Sequence, residues 1–378
     1  MAIASFGTST PFAYWGFATL CKIVGALTGD VIRIHGTTLG ELREGWGARD
    51  GRSVVFTTDL PEKSLCDFFL GNRVRTIVFL DDPRDAVMWA IASRALTVEQ
   101  ALRFSTRAFS AISEPSADDA SLIVPRWADT DIRDLIRDIS VHLGGDGGDE
   151  EVDLILRAGL DGYVADTPSK VEDCLARCGI RGAIQNQEPP EIGASAKALV
   201  DRVVGGYRPL FHGSDLSNIL WPNDLFFGAD GKPAFAPIDI VGGARTLVWG
   251  PYMFLPRGRW KATVVFEVVD NFGNDPVIVD VRSDTVLVEK VIRMPKFGIF
   301  SYTMEFEVED PNKPIEVRLV MTKGAIEGVF LLKGVAVTPA AATTSEALAA
   351  PVSATPGMLG RARDRNAKST LPGPIKGI

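Results

Sequence analysis

R-T-I-V-F-L-D-D-P-R-D-A-V-M-W-A-I-A-S, Arg75 to Ser93, is the stretch whose reading decides the fold. Thr76 to Leu80 is short, apolar and β-rich, the composition of a buried strand. Asp81, Asp82 and Pro83 break it. Pro83 suits the first turn of a helix, because its ring fixes φ and an N–H there would lack a partner anyway. Asp82 just before it is an N-cap. Ala86, Val87, Ala90 and Ile91 then recur at helical spacing. Strand, polar turn and amphipathic helix make half of an α/β unit, and in such sheets ligands bind at the carboxyl ends of the strands. A structural corner with no ligand has the same composition.

The pattern repeats on the amino-terminal side. Ala2 to Phe6 reads as a first strand, residues 7 to 11 (G-T-S-T-P) as a polar turn, and Phe12 to Leu27 as a helix capped by Thr10. The N–H groups at that helix start, with the hydroxyls of Thr8, Ser9 and Thr10, form a candidate anion site. A capped helix without ligand is the alternative. Val31 to His35 and Ser53 to Thr57 are further strands, with helices at Thr37 to Trp46 and Lys63 to Leu70. Strands alternating with helices imply a parallel sheet with right-handed crossovers.

On the carboxyl side, Val98 to Ile112 reads as a helix and residues 121 to 125 as a strand. Ile132, Leu135, Ile136 and Ile139 share one face of a helix from Asp129 to Leu143. G-G-D-G-G-D-E-E, residues 144 to 151, reads as a solvated acidic loop that lacks an EF-hand's ligand set. Helical segments continue to about Val204, with a Pro-rich joint near residues 185 to 194.

From Ala244 to Thr338 the period changes to two. Trp260, Ala262, Val264, Phe266 and Val268 alternate with Lys261, Thr263, Val265, Glu267 and Val269. Turn signals recur at residues 256 to 258, 271 to 276 and 310 to 314. This is the pattern of an antiparallel β-sandwich of jelly-roll type. The expected organisation is an α/β domain over 1–205, a sandwich over 206–338 and a disordered tail over 339–378, rich in Ala, Thr, Ser and Pro.

Composition narrows the functions. The net charge of −8 argues against nucleic acid as a partner. No apolar run is long enough for a transmembrane segment, and M-A-I-A-S-F does not read as a secretory signal, so none is expected. Cys21, Cys66, Cys174 and Cys178 fit no zinc spacing, and metal ligands are expected to be none. They read as free thiols in a reducing, cytoplasmic compartment. With His35, His142 and His212 as the only histidines, few mechanisms can use a histidine base.

The order of elements in the first 200 residues resembles the sulfotransferase family, P-loop-like relatives of kinases that use 3′-phosphoadenosine 5′-phosphosulfate. S-F-G-T-S-T-P-F at 5 to 12 resembles the family's 5′-phosphosulfate loop, S-x-P-R-S-G-T-T. V-F-T-T-D-L-P at 55 to 61 resembles its K-T-H-L-P strand end. I-V-F-L-D-D-P-R-D-A-V at 77 to 87 resembles its 3′-phosphate motif, Y-V-V-R-N-P-R-D-V-A-V-S, and H-L-G at 142 to 144 resembles the end of its L-R-x-L-x-x-F-L-G segment. The resemblance implies a parallel sheet with helices on both faces. It implies donor contacts from Thr8, Ser9, Thr10 and Arg84, and Asp59 as the base. Much of the chemistry is replaced, however. The family's basic residue falls on Thr8 and its glycine on Thr10. Its lysine and histidine fall on Thr57 and Asp59, its arginine on Asp81 and its serine on Trp89. Sulfuryl transfer needs cations and N–H donors around a negatively charged group. Asp81 is expected to repel the 3′-phosphate, and Trp89 to fill its space. No cofactor is therefore expected, and 3′-phosphoadenosine 5′-phosphosulfate only if activity survives.

W-G-P-Y-M-F-L-P-R-G-R-W, 249 to 260, resembles the G-P-Y-x-x-L-P-x-G-R-Y opening of some sandwich modules in bacterial surface-glycan synthesis. Trp221, Trp249 and Tyr252 are the candidate glycan-binding residues, since flat aromatic faces with a polar handle suit sugars. They would equally suit a core. Three functions stay open: a glycan-binding or scaffold protein of bacterial surface-polysaccharide metabolism that has lost donor binding, a divergent sulfotransferase acting on a carbohydrate hydroxyl, and an assembly protein with a protein partner or a second copy of itself.

Overall fold

Five parallel strands open the chain: β1 (Ala2–Gly7), β2 (Val31–His35), β3 (Ser53–Thr58), β4 (Arg75–Leu80) and β5 (Ser121–Pro125), in the spatial order β2-β3-β1-β4-β5. The computed structural model describes all residues except 127–128, 161–162, 164–169, 179–191, 213–215 and 341–378. The tail expected after residue 339 and much of the Pro-rich joint lie outside the described residues.

The strands read as near-continuous apolar runs because both faces of the sheet are covered. Ile3, Val55, Ile77 and Phe79 point to one side, where α1 (Pro11–Thr28), α6 (Ile132–Leu143), α7 (Asp149–Arg157) and α8 (Val171–Arg177) pack. Ala4, Phe6, Val54, Phe56, Val78 and Leu80 point to the other. There α3 (Lys63–Gly71), α4 (Pro83–Arg94), α5 (Val98–Ala117) and α9 (Ala194–Val204) share one continuous core with the strands that follow. α2 (Leu39–Gly47) flanks β2 and is closed by a capping box between Thr38 and Glu41. The expected N-caps are present: the Thr10 side chain accepts from the Ala13 N–H, and the Asp82 side chain from the Arg84 N–H.

The acidic segment at 144–151 is not wholly loop. Asp149, Glu150 and Glu151 form the first turn of α7, where carboxylates meet the positive end of the helix dipole. Glu151 also accepts from Ser140 Oγ and from the Gly147 N–H, tying the turn to α6.

Two antiparallel sheets follow. One runs β13 (Gly298–Val308), β10 (Gly258–Val269), β15 (Val329–Pro339) and β6 (Ile219–Pro222), with β8 (Ile238–Asp239) also on β15. The other runs β12 (Val286–Arg293), β11 (Pro276–Arg282), β14 (Ile315–Met321), β9 (Arg245–Met253) and β7 (Phe227–Gly228). Period-two alternation puts Trp260, Ala262, Val264, Phe266 and Val268 inside from one sheet, and Val277, Val279, Val281, Ile315, Val317 and Leu319 from the other. α5 ties this sandwich to the parallel sheet. Arg103 Nε donates to Pro251 O at 3.0 Å, and Arg257 pairs with Glu114 at 3.4 Å. The fully buried Tyr207 donates its hydroxyl to Phe254 O.

Candidate functional site

Two places bring the sequence-derived residues together. The first is the switch point of the parallel sheet. β1 leads away to one side and β4 to the other, so the carboxyl ends of these neighbours frame the crevice where open α/β sheets bind ligands. Gly7 to Thr10 and Asp81 to Pro83 stand there.

The turn after β1 has closed on itself. Thr8 N–H donates to Phe79 O (3.2 Å), Asp81 N–H to Thr8 Oγ1 (3.2 Å), and Thr10 N–H to Thr8 O (2.7 Å). Ala13 N–H donates to Thr10 Oγ1 (3.3 Å) and Tyr14 N–H to Thr10 O (3.2 Å), and Pro11 has no N–H. Ser9 Oγ donates to Asp59 Oδ2. Thr8, Ser9 and Thr10 are all buried. An anion site needs convergent N–H groups that are still free. Here most of the donors assigned to a phosphosulfate are spent inside the turn. Packing enforces the closure: a Cβ on Gly7 would lie 2.7 Å from Ala13 Cβ and 3.1 Å from Phe79 O.

Asp59 is a hub. Its Oδ2 accepts from Ser9 and from Tyr14 OH (2.6 Å), and Arg94 Nη2 lies 3.7 Å away. Burial, then the neighbouring Asp59 charge, pushes Tyr14 up to about 12, so its proton stays on the phenol. Beside it Thr57 Oγ1 is 3.1 Å from His35 Nδ1 and accepts from Arg33 Nε at 3.3 Å. Tyr14, Arg94, Arg33 and His35 were not legible as site residues. They come from three elements, and no local motif links them.

Asp81 does not stand open to repel a phosphate. It is buried, and Arg126 Nη1 reaches its two oxygens at 3.1 and 3.2 Å. The same guanidinium holds Glu172 at 3.0 Å and Asp85 at 3.4 Å. Burial pushes the Asp81 carboxyl up, against the pull of Arg126. Arg84 turns to α9, with Nε 3.5 Å from Asp201 Oδ1. Trp89 is partly buried on α4.

The second place is the outer face of the β12-β11-β14-β9-β7 sheet. The registers set Glu289, Asp280, Arg318, Trp249 and Phe227 side by side in one row across five strands. The Phe227 and Trp249 rings stack at 6.1 Å. In a regular strand, residues 249 and 252 would face opposite sides. A bulge prevents this: Ile315 pairs with Met253 and Glu316 with Pro251, which leaves Tyr252 as the extra residue at φ 62°. Its ring joins Trp249 on the groove face, and its hydroxyl donates to Glu316 Oε1 at 3.0 Å. Burial, then this bond, pushes Tyr252 up to about 12. Arg318 is bidentate on Asp280, with Nε at 3.0 Å and Nη2 at 2.5 Å. Together Arg245, Thr246, Trp249, Tyr252, Glu316 and Arg318 line an open groove of about 440 Å³.

Trp249 and Tyr252 are thus brought together, and Trp221 is not with them. Trp221 lies on β6 with no exposed surface, packed inside the sandwich core, so it presents no face to a sugar. Glu316 and Arg318 were missed, although the alternation I-E-V-R-L-V-M carried the signal by placing both on the solvent side. Arg245 had no such signal.

Among the described residues no group of His, Cys, Asp and Glu is placed to hold a metal ion, and no helix is long and apolar enough to cross a membrane. No known protein family and no curated protein matches the sequence. Among solved structures, the chain is similar to a mouse sulfotransferase complexed with PAP (15% identity, 50% of this chain, 79% of that one, TM-score 0.35). It is also similar to the CBM36-1 domain of a multidomain xylanase from the hindgut metagenome of Trinervitermes trinervoides (11%, 33% and 99%, TM-score 0.25). A CBM4 structure is a third similarity (13%, 30% and 85%, TM-score 0.21).

Proposed function

We propose that this protein binds glycan through the sandwich groove, and that its sulfotransferase-like α/β domain (1–205) serves as a scaffold without standard donor binding. The observation that carries the reading is the pairing of Trp249 and Tyr252 on one open face, beside Glu316 and Arg318. Sugars have apolar faces and a rim of hydroxyls. Aromatic rings cover the faces, and carboxylate and guanidinium groups take the hydroxyls in both hydrogen-bonding directions. The closed turn at Thr8, Ser9 and Thr10 supports the scaffold half. A role in bacterial surface-polysaccharide metabolism, in a reducing cytoplasm that keeps its four cysteines free, completes the proposal.

One observation favours a second reading, a divergent sulfotransferase acting on a carbohydrate hydroxyl. Asp59 lies at the carboxyl end of the parallel sheet, held by Ser9 and Tyr14, where a general base would stand. Against it, these bonds occupy Oδ2 and bury the carboxylate. Calorimetry with 3′-phosphoadenosine 5′-phosphate separates the readings. We expect no binding tighter than about millimolar, or about −4 kcal/mol. Micromolar binding, lost when Thr8, Ser9 and Thr10 are changed together to alanine, would restore the enzyme.

A further inference from the structure

The charges around the groove are not balanced one for one. Arg318 is neutralised by Asp280, which is almost wholly buried beneath it. Glu316 is engaged by Tyr252. Arg245 differs from both. Its Nη1 donates to Gly243 O at 3.2 Å and its Nη2 to Asp239 O at 2.6 Å, both neutral main-chain acceptors. Among the described residues no carboxylate oxygen lies within 4.0 Å of its guanidinium. The group is therefore held in place by neutral acceptors and without an ion pair, on the wall of a groove that also holds Trp249.

A second cation lies close to the Tyr252 and Phe227 rings. Arg103 is fixed by Pro251 O, 5.7 Å from the Tyr252 ring centre and 5.8 Å from that of Phe227. It too has no carboxylate within 4.0 Å among the described residues. Burial pulls its pKa down, and the charge of Glu99, one turn away on α5, opposes that pull. In a chain of net charge −8, Arg245 is a positioned cation on the groove wall with no carboxylate in ion-pair range among the described residues. Arginine's planar fork matches carboxylate and sulfate oxygens, and the attraction strengthens where water is partly excluded.

We propose that the groove recognises an acidic glycan, a sugar unit bearing a carboxylate or sulfate group, with Arg245 as the residue that selects the anion. This rests on the glycan-binding reading and adds the ligand's charge. Trp249 and Tyr252 cover the sugar face, Glu316 takes a hydroxyl, and Arg245 meets the anionic group. Arg103, which does not line the groove, supplies field rather than contact.

The test is affinity electrophoresis and calorimetry of the full chain with four polymers: polygalacturonate, dextran sulfate, neutral dextran and polyglutamate. We expect one or both acidic polysaccharides to bind at least about tenfold tighter than dextran, the size of one charge-assisted hydrogen bond. The two acidic arms distinguish carboxylate from sulfate. Polyglutamate should not bind, since it has charge without a sugar face. Arg245→Gln should bring the acidic polymers to within about threefold of dextran, and Arg245→Lys should keep part of the preference. Thermal unfolding of each variant checks that it is folded. Equal binding of dextran and the acidic polymers, abolished by Trp249→Ala, would overturn the acidic preference and leave glycan binding standing. An acidic preference untouched by Arg245→Gln in a folded protein would overturn the role of Arg245. Binding of polyglutamate as tight as polygalacturonate, or of no polymer at all, would overturn the proposal and glycan recognition with it.

Discussion

At the carboxyl ends of β1, β3 and β4, Thr8, Ser9, Thr10, Asp59 and Asp81 turn their polar atoms on one another or on Arg126. On the outer face of β9 and β14, Trp249, Tyr252, Glu316 and Arg318 set theirs beside an open groove. Both places hold hydrogen-bonding groups in quantity. They differ in what remains available. Buried polar groups must be paired inside the protein, because an unpaired one costs about 1–3 kcal/mol. Once paired in that way they are poor ligands for anything else. At the switch point the polar atoms are spent on one another, and at the groove they border an open surface.

The sharpest way to break this contrast is Asp81→Arg, which would place there the arginine of the sulfotransferase motif that this turn resembles. If Asp81 is structural, the change leaves Arg126 facing a second buried cation. It should cost about 3–5 kcal/mol in urea unfolding without creating affinity for 3′-phosphoadenosine 5′-phosphate. A stable variant that binds the nucleotide would mean that the crevice is still a ligand site.

The two tryptophans sharpen the comparison next. Trp221→Ala removes a fully buried ring and should destabilise by about 3–5 kcal/mol. Trp249→Ala should cost about 1 kcal/mol or less, as for partly exposed sites, yet lose glycan binding. Comparable losses of stability in the two variants would show that Trp249 is core as well.

Asp59→Ala is the matching test at the switch point. It leaves the Ser9 and Tyr14 hydroxyls without their acceptor, and a loss of about 2–4 kcal/mol is expected. Unchanged stability, measured by denaturant midpoint, would argue that Asp59 is held for chemistry instead.

A further effect is expected in alkali. Tyr14 and Tyr252 are both raised to about 12, whereas the unfolded chain ionises its tyrosines near 10. Between these values the folded state binds more protons than the unfolded state. Stability is therefore full below pH 10 and falls as the pH rises toward 12. Melting temperature against pH should show this fall, and Tyr252→Phe should reduce it. A flat profile to pH 12 would mean that neither hydroxyl is held as described.

Local sequence carried much of the architecture. The turn at Asp81 to Pro83, the cap at Thr10 and the strict alternation of β10 and β13 depend on neighbours a few residues away, so they are legible in a window of that size. The change of period near residue 244 announced the sandwich for the same reason. The strand-end positions of Thr57, Asp59 and Asp81 were legible too. The partners of the two carboxylates were not, because Arg126, Tyr14 and Arg94 reach them from 35 to 45 residues away. The groove was half legible. Trp249 and Tyr252 could be named from the sequence, yet their spacing of three would have put them on opposite faces of a regular strand. The bulge against β14, with Tyr252 at positive φ, brought them together. Trp221 looked like their equal and is core. Composition and period are properties of the chain. Which aromatic ring keeps an exposed face is decided only when the sheets pack, since exposure is set by whatever else arrives.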